Sequence, residues 1–249
     1  MNIDTSTDNL RSRHVVVIGG SSGMGLAIAR ASAAAGATVT IASRDEGRLA
    51  RAAALIGPGA VTRRLDVGDE AAVRAFFDAI DGFDHLVVTA HASSVVTGTI
   101  QPLSAMTVAA ARAFMETKFW GPFMAAKYGC PKLAAKGSLI FFSGAAGARK
   151  LLPNHTVIGA TNGAVEAFAR QLAREIAPQR VNVIAAGLVR TPTYDAMPEA
   201  AREAMYSGYA KTALVGRVGE PDDIGRAALY LMGADYVTGQ IHEIDGGRP

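Results

Sequence analysis

The stretch VVVIGGSSGMGLAIAR, residues 15–30, decides the fold. Val15 to Ile18 form a continuous β-branched run of the kind buried on both faces of a strand, and the segment that opens near Met24 carries helical spacing. Between them Gly19, Gly23 and Gly25 follow the pattern G-x-x-x-G-x-G. Glycines so placed let backbone N–H groups approach a pyrophosphate at a helix N-terminus, where the helix dipole favours negative charge. Such turns also serve simply to pack a helix close to a strand, so the motif needs support from the rest of the chain.

Working outward, short apolar runs alternate with longer Ala-rich segments. HVVVIG (14–19), TVTIAS (38–43), HLVVTA (85–90), SLIFF (138–142) and VNVIAA (181–186) read as buried strands, whereas GLAIARASAAAGA (25–37) and AAVRAFFDAI (71–80) read as helices. This alternation predicts an α/β fold: a single Rossmann-like doubly wound domain, with a central parallel sheet of about seven strands flanked by helices on both faces. The domain is expected over residues 13–249, after a loose, disordered polar tail at 1–12. No linker divides it, and no repeat of fixed period is present.

Composition narrows the function classes. The 25 basic and 22 acidic residues leave a formal charge of only +3 and are interspersed, which gives no footprint for nucleic acid, although the pI near 9.1 leaves room for a local basic pocket suited to a small anion. With Cys130 alone, no intrachain disulfide and no cysteine metal cluster can form, as suits a reducing cytoplasm. The start MNIDTSTDNLRSR lacks the apolar core of a signal peptide, and no run approaches the ~18 apolar residues of a membrane span. There is no H-E-x-x-H, no clustered His and Asp set for a metal, no G-x-S-x-G elbow and no Walker G-K-[ST] ending. The expected partner is therefore a small-molecule substrate, with no metal, nucleic acid or membrane, in a cytoplasmic protein.

The end of the second strand reads IASRDEGRL, and the place about twenty residues beyond the glycines, where an acid would bind the ribose 2′-hydroxyl of NAD, holds Ser43 and Arg44. A hydroxyl beside a guanidinium suits a 2′-phosphate, because Arg forks two hydrogen bonds onto phosphate oxygens. The expected cofactor is NADP(H), held also by Ser21, Ser22 and Met24 of the glycine turn.

Taken together, GGSSGMG, LDV at 65–67, DHLVVTAHA, GLVRTP, GRVGEPDDIG and TGQIHEIDGG resemble the recurring segments of the short-chain dehydrogenase/reductase family, in the same order over residues 13–247. The resemblance implies that Asp66 and Val67 contact the adenine, that Ala90 lies beside the cofactor, and that Gly187, Val189 and Thr191 sit by the nicotinamide and phosphates. It implies a mobile lid at about 192–215, whose Met197, Met205, Tyr206 and Tyr209 face the substrate or only pack a helix. It also implies a homotetramer or homodimer using the helix from about 154 to 176, with Val157, Ile158, Val165 and Phe168 facing either a symmetry mate or the monomer's own core.

The departures matter equally. The family's proton donor is a tyrosine four residues before a lysine, completed by a serine and an asparagine. Spacing here puts Val157 and Thr161 at the pair, Gly144 at the serine with Ser143 one position early, and Lys118 at the asparagine; the family's NNAG has become VTAH at 88–91. Between Lys150 and Arg180 there is neither a tyrosine nor a second lysine. Lys118 is a candidate replacement, unless it extends to solvent or pairs with Glu116 or Glu166. His155 and His91 are further candidates because imidazole titrates near neutrality, with Asn154 read as a helix cap. Two functions stay open: an atypical NADPH-dependent reductase of a small carbonyl, enone or imine, or a catalytically silent NADP(H)-binding protein acting as a sensor or assembly subunit.

Overall fold

The structure, a computed structural model, describes residues 10–90 and 97–249. In chain order the elements are β1 (His14–Ile18), α1 (Gly23–Ala34), β2 (Thr38–Ser43), α2 (Glu46–Ile56), β3 (Val61–Arg64), α3 (Glu70–Asp78), β4 (Phe83–Val88), α4 (Val108–Met115), α5 (Gly121–Gly129), β5 (Leu133–Gly144), α6 (Ala145–Ala148), α7 (Thr156–Glu175), β6 (Arg180–Ala186), α8 (Glu199–Thr212), α9 (Pro221–Gly233) and β7 (Ile241–Ile244). The strands form one parallel seven-stranded sheet in the order β3-β2-β1-β4-β5-β6-β7. This is the doubly wound arrangement expected from the alternation of apolar runs. The order reverses between β1 and β4, which opens a crevice at the carboxyl ends of those two strands.

Period-two side-chain alternation divides each central strand between two apolar layers. Val16 and Ile18 of β1, Leu86 and Val88 of β4, and Leu139 and Phe141 of β5 pack with Val73, Phe76 and Phe77 of α3, Met124 of α5 and Val165 of α7. Their neighbours Val15, Val17, Val87, Ile140 and Phe142 face the opposite layer, against Ile28 of α1, Leu49 of α2 and Ile224 and Leu231 of α9. A sheet covered on both faces explains why its central strands read as unbroken apolar runs.

Helix starts follow local chemistry. Asp45 and Asp69 precede α2 and α3 and accept from the backbone N–H groups of Arg48 at 2.8 Å and Ala72 at 3.1 Å. Asp223 reaches back to the Glu220 N–H at 2.8 Å at the start of α9. Of the expected tail, residues 1–9 lie outside the described residues. Leu10, however, is 2 % exposed, its N–H donates to the Ala35 carbonyl at 3.2 Å, and it packs in the α1-side layer. Leu10, which was expected in the tail, thus packs into the apolar layer beneath the α1–β2 turn.

Candidate active site

The crevice at the reversal point holds a groove of about 210 Å³ built on the glycine turn. The turn comes very close to β4: Gly19 has φ +93°, and a Cβ there would stand 2.5 Å from Thr89 Oγ1 and 2.6 Å from the Ala90 nitrogen. A Cβ on Gly25 would collide with the Gly19 carbonyl oxygen. These glycines are thus required by close packing as well as by any ligand. Ser22 precedes α1 without a side-chain cap, and the helix has no acidic residue in its first turn. Its N–H groups are left to meet an anion from the groove.

Gly19, Ser21, Ser22, Gly23, Met24, Gly25, Ser43, Arg44, Asp66, Val67, Ala90 and Thr191 all line this groove. Ser43 Oγ is buried and has no hydrogen-bond partner among the described residues. Arg44 is exposed, with no carboxylate in ion-pair range among the described residues. Asp66 accepts from the Gly68 N–H at 3.1 Å, an Asx turn that fixes one carboxylate oxygen. Two of the residues assigned by resemblance do not line this groove. Gly187 lines the neighbouring cavity, and Val189 is 4 % exposed, with its side chain in the α1-side layer and its backbone bridged to Gly219.

That neighbouring cavity, of about 750 Å³, shares Met24 with the groove. Lys118 enters its wall from a π-helical turn, Glu116–Trp120, between α4 and α5. Such turns re-aim side chains and recur at functional sites. Lys118 is 7 % exposed and has neither a hydrogen bond nor an ion pair among the described residues. Burial pushes its ammonium down from 10.5 to about 8. It neither extends to solvent nor pairs with Glu166, which instead accepts from Ser143 Oγ at 2.9 Å and pairs with Arg149 at 3.4 Å.

Helix α7 turns Ile158 and Asn162 toward the cavity. Thr161 is buried away from it, its hydroxyl donating to the Val157 carbonyl at 2.8 Å. The i, i+4 pair in the cavity wall is therefore Ile158 and Asn162, one residue beyond the Val157 and Thr161 obtained by spacing. Counting across the β5–α7 loop carries no register, and one residue rotates a helical face by about 100°. The Asn162 amide nitrogen donates to the Gly144 and Ala146 carbonyls at 3.2 and 3.1 Å, while its Oδ1 is buried without a partner among the described residues. Sequence spacing missed Asn162; its apolar neighbours at helical intervals were the available signal.

His155 also lines the cavity, its Nδ1–H donating to the Pro153 carbonyl at 2.7 Å, and it rather than Asn154 is the residue preceding α7. Asn154 has φ +64° and is not the residue that precedes α7. His91 lies outside the described residues. From the far side, Met197, Met205, Tyr194 and Tyr209 contribute to the wall, whereas Tyr206 is 4 % exposed and packs edge-on against Tyr194. Burial pushes the Tyr194 phenol up to about 12. Val165 and Phe168 of α7 belong to the monomer's own core layer.

Comparisons with known proteins identify relatives over nearly the whole chain. A family profile described as enoyl-(acyl carrier protein) reductase matches residues 19–248. The short-chain dehydrogenase/reductase ATR9 of Stachybotrys chlorohalonatus is 32 % identical over 96 % of this chain and 97 % of its own length. Among solved structures, a small-chain dehydrogenase in complex with NADPH superimposes with a TM-score of 0.79 at 33 % identity, covering 95 % of this chain and 98 % of that one. The MalC reductase/Diels-Alderase of Malbranchea aurantiaca superimposes with a TM-score of 0.87 at 27 % identity, covering 97 % and 98 %. With its reversal-point groove, its glycine turn and these relatives, the chain belongs to the short-chain dehydrogenase/reductase family.

Proposed function

We propose that the protein is an atypical NADPH-dependent reductase of a small carbonyl, enone or imine, in which Lys118 takes over the polar role lost from α7. The observation that carries this reading is the buried Lys118, without a partner among the described residues, in a cavity that adjoins the glycine-turn groove through Met24. The groove fits NADP(H). Ser43 Oγ lacks a partner where a 2′-phosphate would lie, Arg44 stands beside it, and the uncapped start of α1 suits the pyrophosphate. When bound, NADPH supplies the hydride. That hydride and one proton convert C=O to an alcohol, leaving NADP⁺.

In this reading Lys118 holds its ammonium against the oxygen on which negative charge develops and gives it a proton, which water then restores. Ile158 and Asn162 offer no proton, which sets this chain apart from the family's Tyr-x-x-x-Lys pattern. His155 is a second-line proton carrier, and the segment from 192 to 215 acts as the lid. Ser143, with its hydrogen committed to Glu166, offers lone pairs to a substrate donor.

The specific observation favouring the alternative, a silent NADP(H)-binding protein, is the apolar Ile158 in that wall. Consumption of NADPH with a panel of carbonyl, enone and iminium compounds decides between them. Protein-dependent turnover that disappears in Lys118→Met supports the reductase, and binding of NADPH without turnover supports the alternative. A dimer or tetramer joined through α7 accords with the exposed apolar surface of the neighbouring π-helical turn, where Trp120 is 44 % exposed and packs edge-on against Phe119 and Phe123. A light-scattering mass of a single 25.8 kDa chain would remove that assignment.

A further inference from the structure

We infer that the large cavity selects an anionic substrate, a carbonyl compound carrying a carboxylate or a comparably acidic oxygen on an apolar body. The inference rests on the reductase reading above and names the substrate class of the same site. Lys118, Lys150, His155 and Arg248 all contribute to the cavity wall, and no Asp or Glu does among the described residues.

Behind that wall Glu166, Glu243 and Asp245 face Arg149 and Lys150, and Asp245 Oδ2 is buried without a hydrogen bond among the described residues. Glu243 and Asp245 share Lys150 at 3.5 and 3.8 Å, and Glu166 and Glu243 hold Arg149 at 3.4 and 3.0 Å. Lys118 and Arg248 have no such partner among the described residues; the Arg248 guanidinium lies over the Tyr209 ring, 4.9 Å from its centroid. A cation buried without a counter-ion is costly, and an anion seated beside it offsets that cost. The planar guanidinium of Arg248 presents forked donors matched to a carboxylate.

Apolar side chains supply the rest of the enclosure: Phe114, Leu152, Ile158, Met197 and Met205. They suit an aryl or alkyl body, and the thioethers adapt to irregular shapes. A neutral substrate of the same shape would fill this space but leave the Lys118 charge uncompensated. Since burial lowers Lys118 only to about 8, the ammonium form still predominates at neutral pH, and a bound anion would raise that value again.

The test is a comparison of acids with their primary amides. Benzoate against benzamide, and cinnamate against cinnamamide, are titrated calorimetrically into the protein with and without saturating NADP⁺. A charge-assisted contact predicts at least about a tenfold preference for the acid. The preference should fall in Arg248→Met and vanish in the Lys118→Met, Arg248→Met double variant, with Lys118→Gln as a second replacement that keeps the polar stem. Equal or better binding of the amides, no binding of any probe at millimolar concentration, or a preference that survives in the double variant would overturn the inference. Because the probes are also titrated without nucleotide, failure of NADP⁺ to bind counts against the cofactor reading alone.

Discussion

Replacing Lys118 by methionine tests the buried ammonium without knowledge of the substrate. Burial moves this group from 10.5 to about 8, and at about 1.36 kcal/mol per pH unit that displacement amounts to about 3 kcal/mol set against the ligand-free fold. Below about pH 8 both the folded and the unfolded chain carry the proton, and the whole cost is present. Between about 8 and 10.5 the folded protein has released the proton while the unfolded chain retains it, so stability climbs with pH; above 10.5 the cost is gone. Methionine matches the lysine stem in length and belongs in apolar surroundings. Lys118→Met should therefore be more stable than the parent near neutral pH by up to about 3 kcal/mol, a rise in melting temperature of roughly 6–12 °C for a chain of this size. The gap should shrink progressively toward about pH 10. Calorimetric melting across that range reads both quantities. A variant that melts lower than the parent at neutral pH, or a gap independent of pH, would refute the claim that an uncompensated charge is buried here.

Other perturbations test other parts of the site. Arg44→Ala should lower NADPH affinity by roughly tenfold or more while sparing NADH, so unchanged discrimination in fluorescence titrations would remove the 2′-phosphate assignment. Gly19→Ala should abolish nucleotide binding and lower the melting temperature, because its Cβ would stand 2.5 Å from Thr89 Oγ1 at φ +93°; a variant that binds normally would show that the turn has more room. The Asp223 carboxyl is held well below the usual carboxylate range, chiefly by its hydrogen bond from Arg217. Its contribution to stability is present above the ordinary carboxylate value and is lost as pH falls below it, so Asp223→Asn should flatten the acid side of the stability profile without altering nucleotide binding.

The central strands were legible in the sequence because they are covered on both faces: β1, β4, β5 and β6 read as apolar runs and fold as such. The edge strands VTRR and IHEI carry half-polar faces, so periodicity alone does not separate them from loops. The nucleotide groove was legible almost residue by residue, since glycine spacing fixes backbone geometry locally. Gly187 and Val189 were the exceptions, because a resemblance gives position in the chain and not what a residue faces. The large cavity was less legible. Its wall depends on the face that α7 presents after a loop of free length, and an error of one residue exchanged Ile158 and Asn162 for Val157 and Thr161. Lys118 stood out by type, but its burial follows from a π-helical turn that side-chain spacing does not announce. Arg248 and Tyr194 reach the cavity from segments far apart in the chain, so only the fold brings them together.

The measurement closest to the central claim follows the hydride itself. NADPH deuterated at the transferable position is incubated with the protein and a metabolite extract, and products are searched by mass spectrometry for label that depends on the protein. The reductase reading predicts a product that gains deuterium with the parent protein and fails to gain it with Lys118→Met. Persistent absence of labelled product, while NADPH still raises the melting temperature, would contradict it and leave a nucleotide-binding protein without redox turnover.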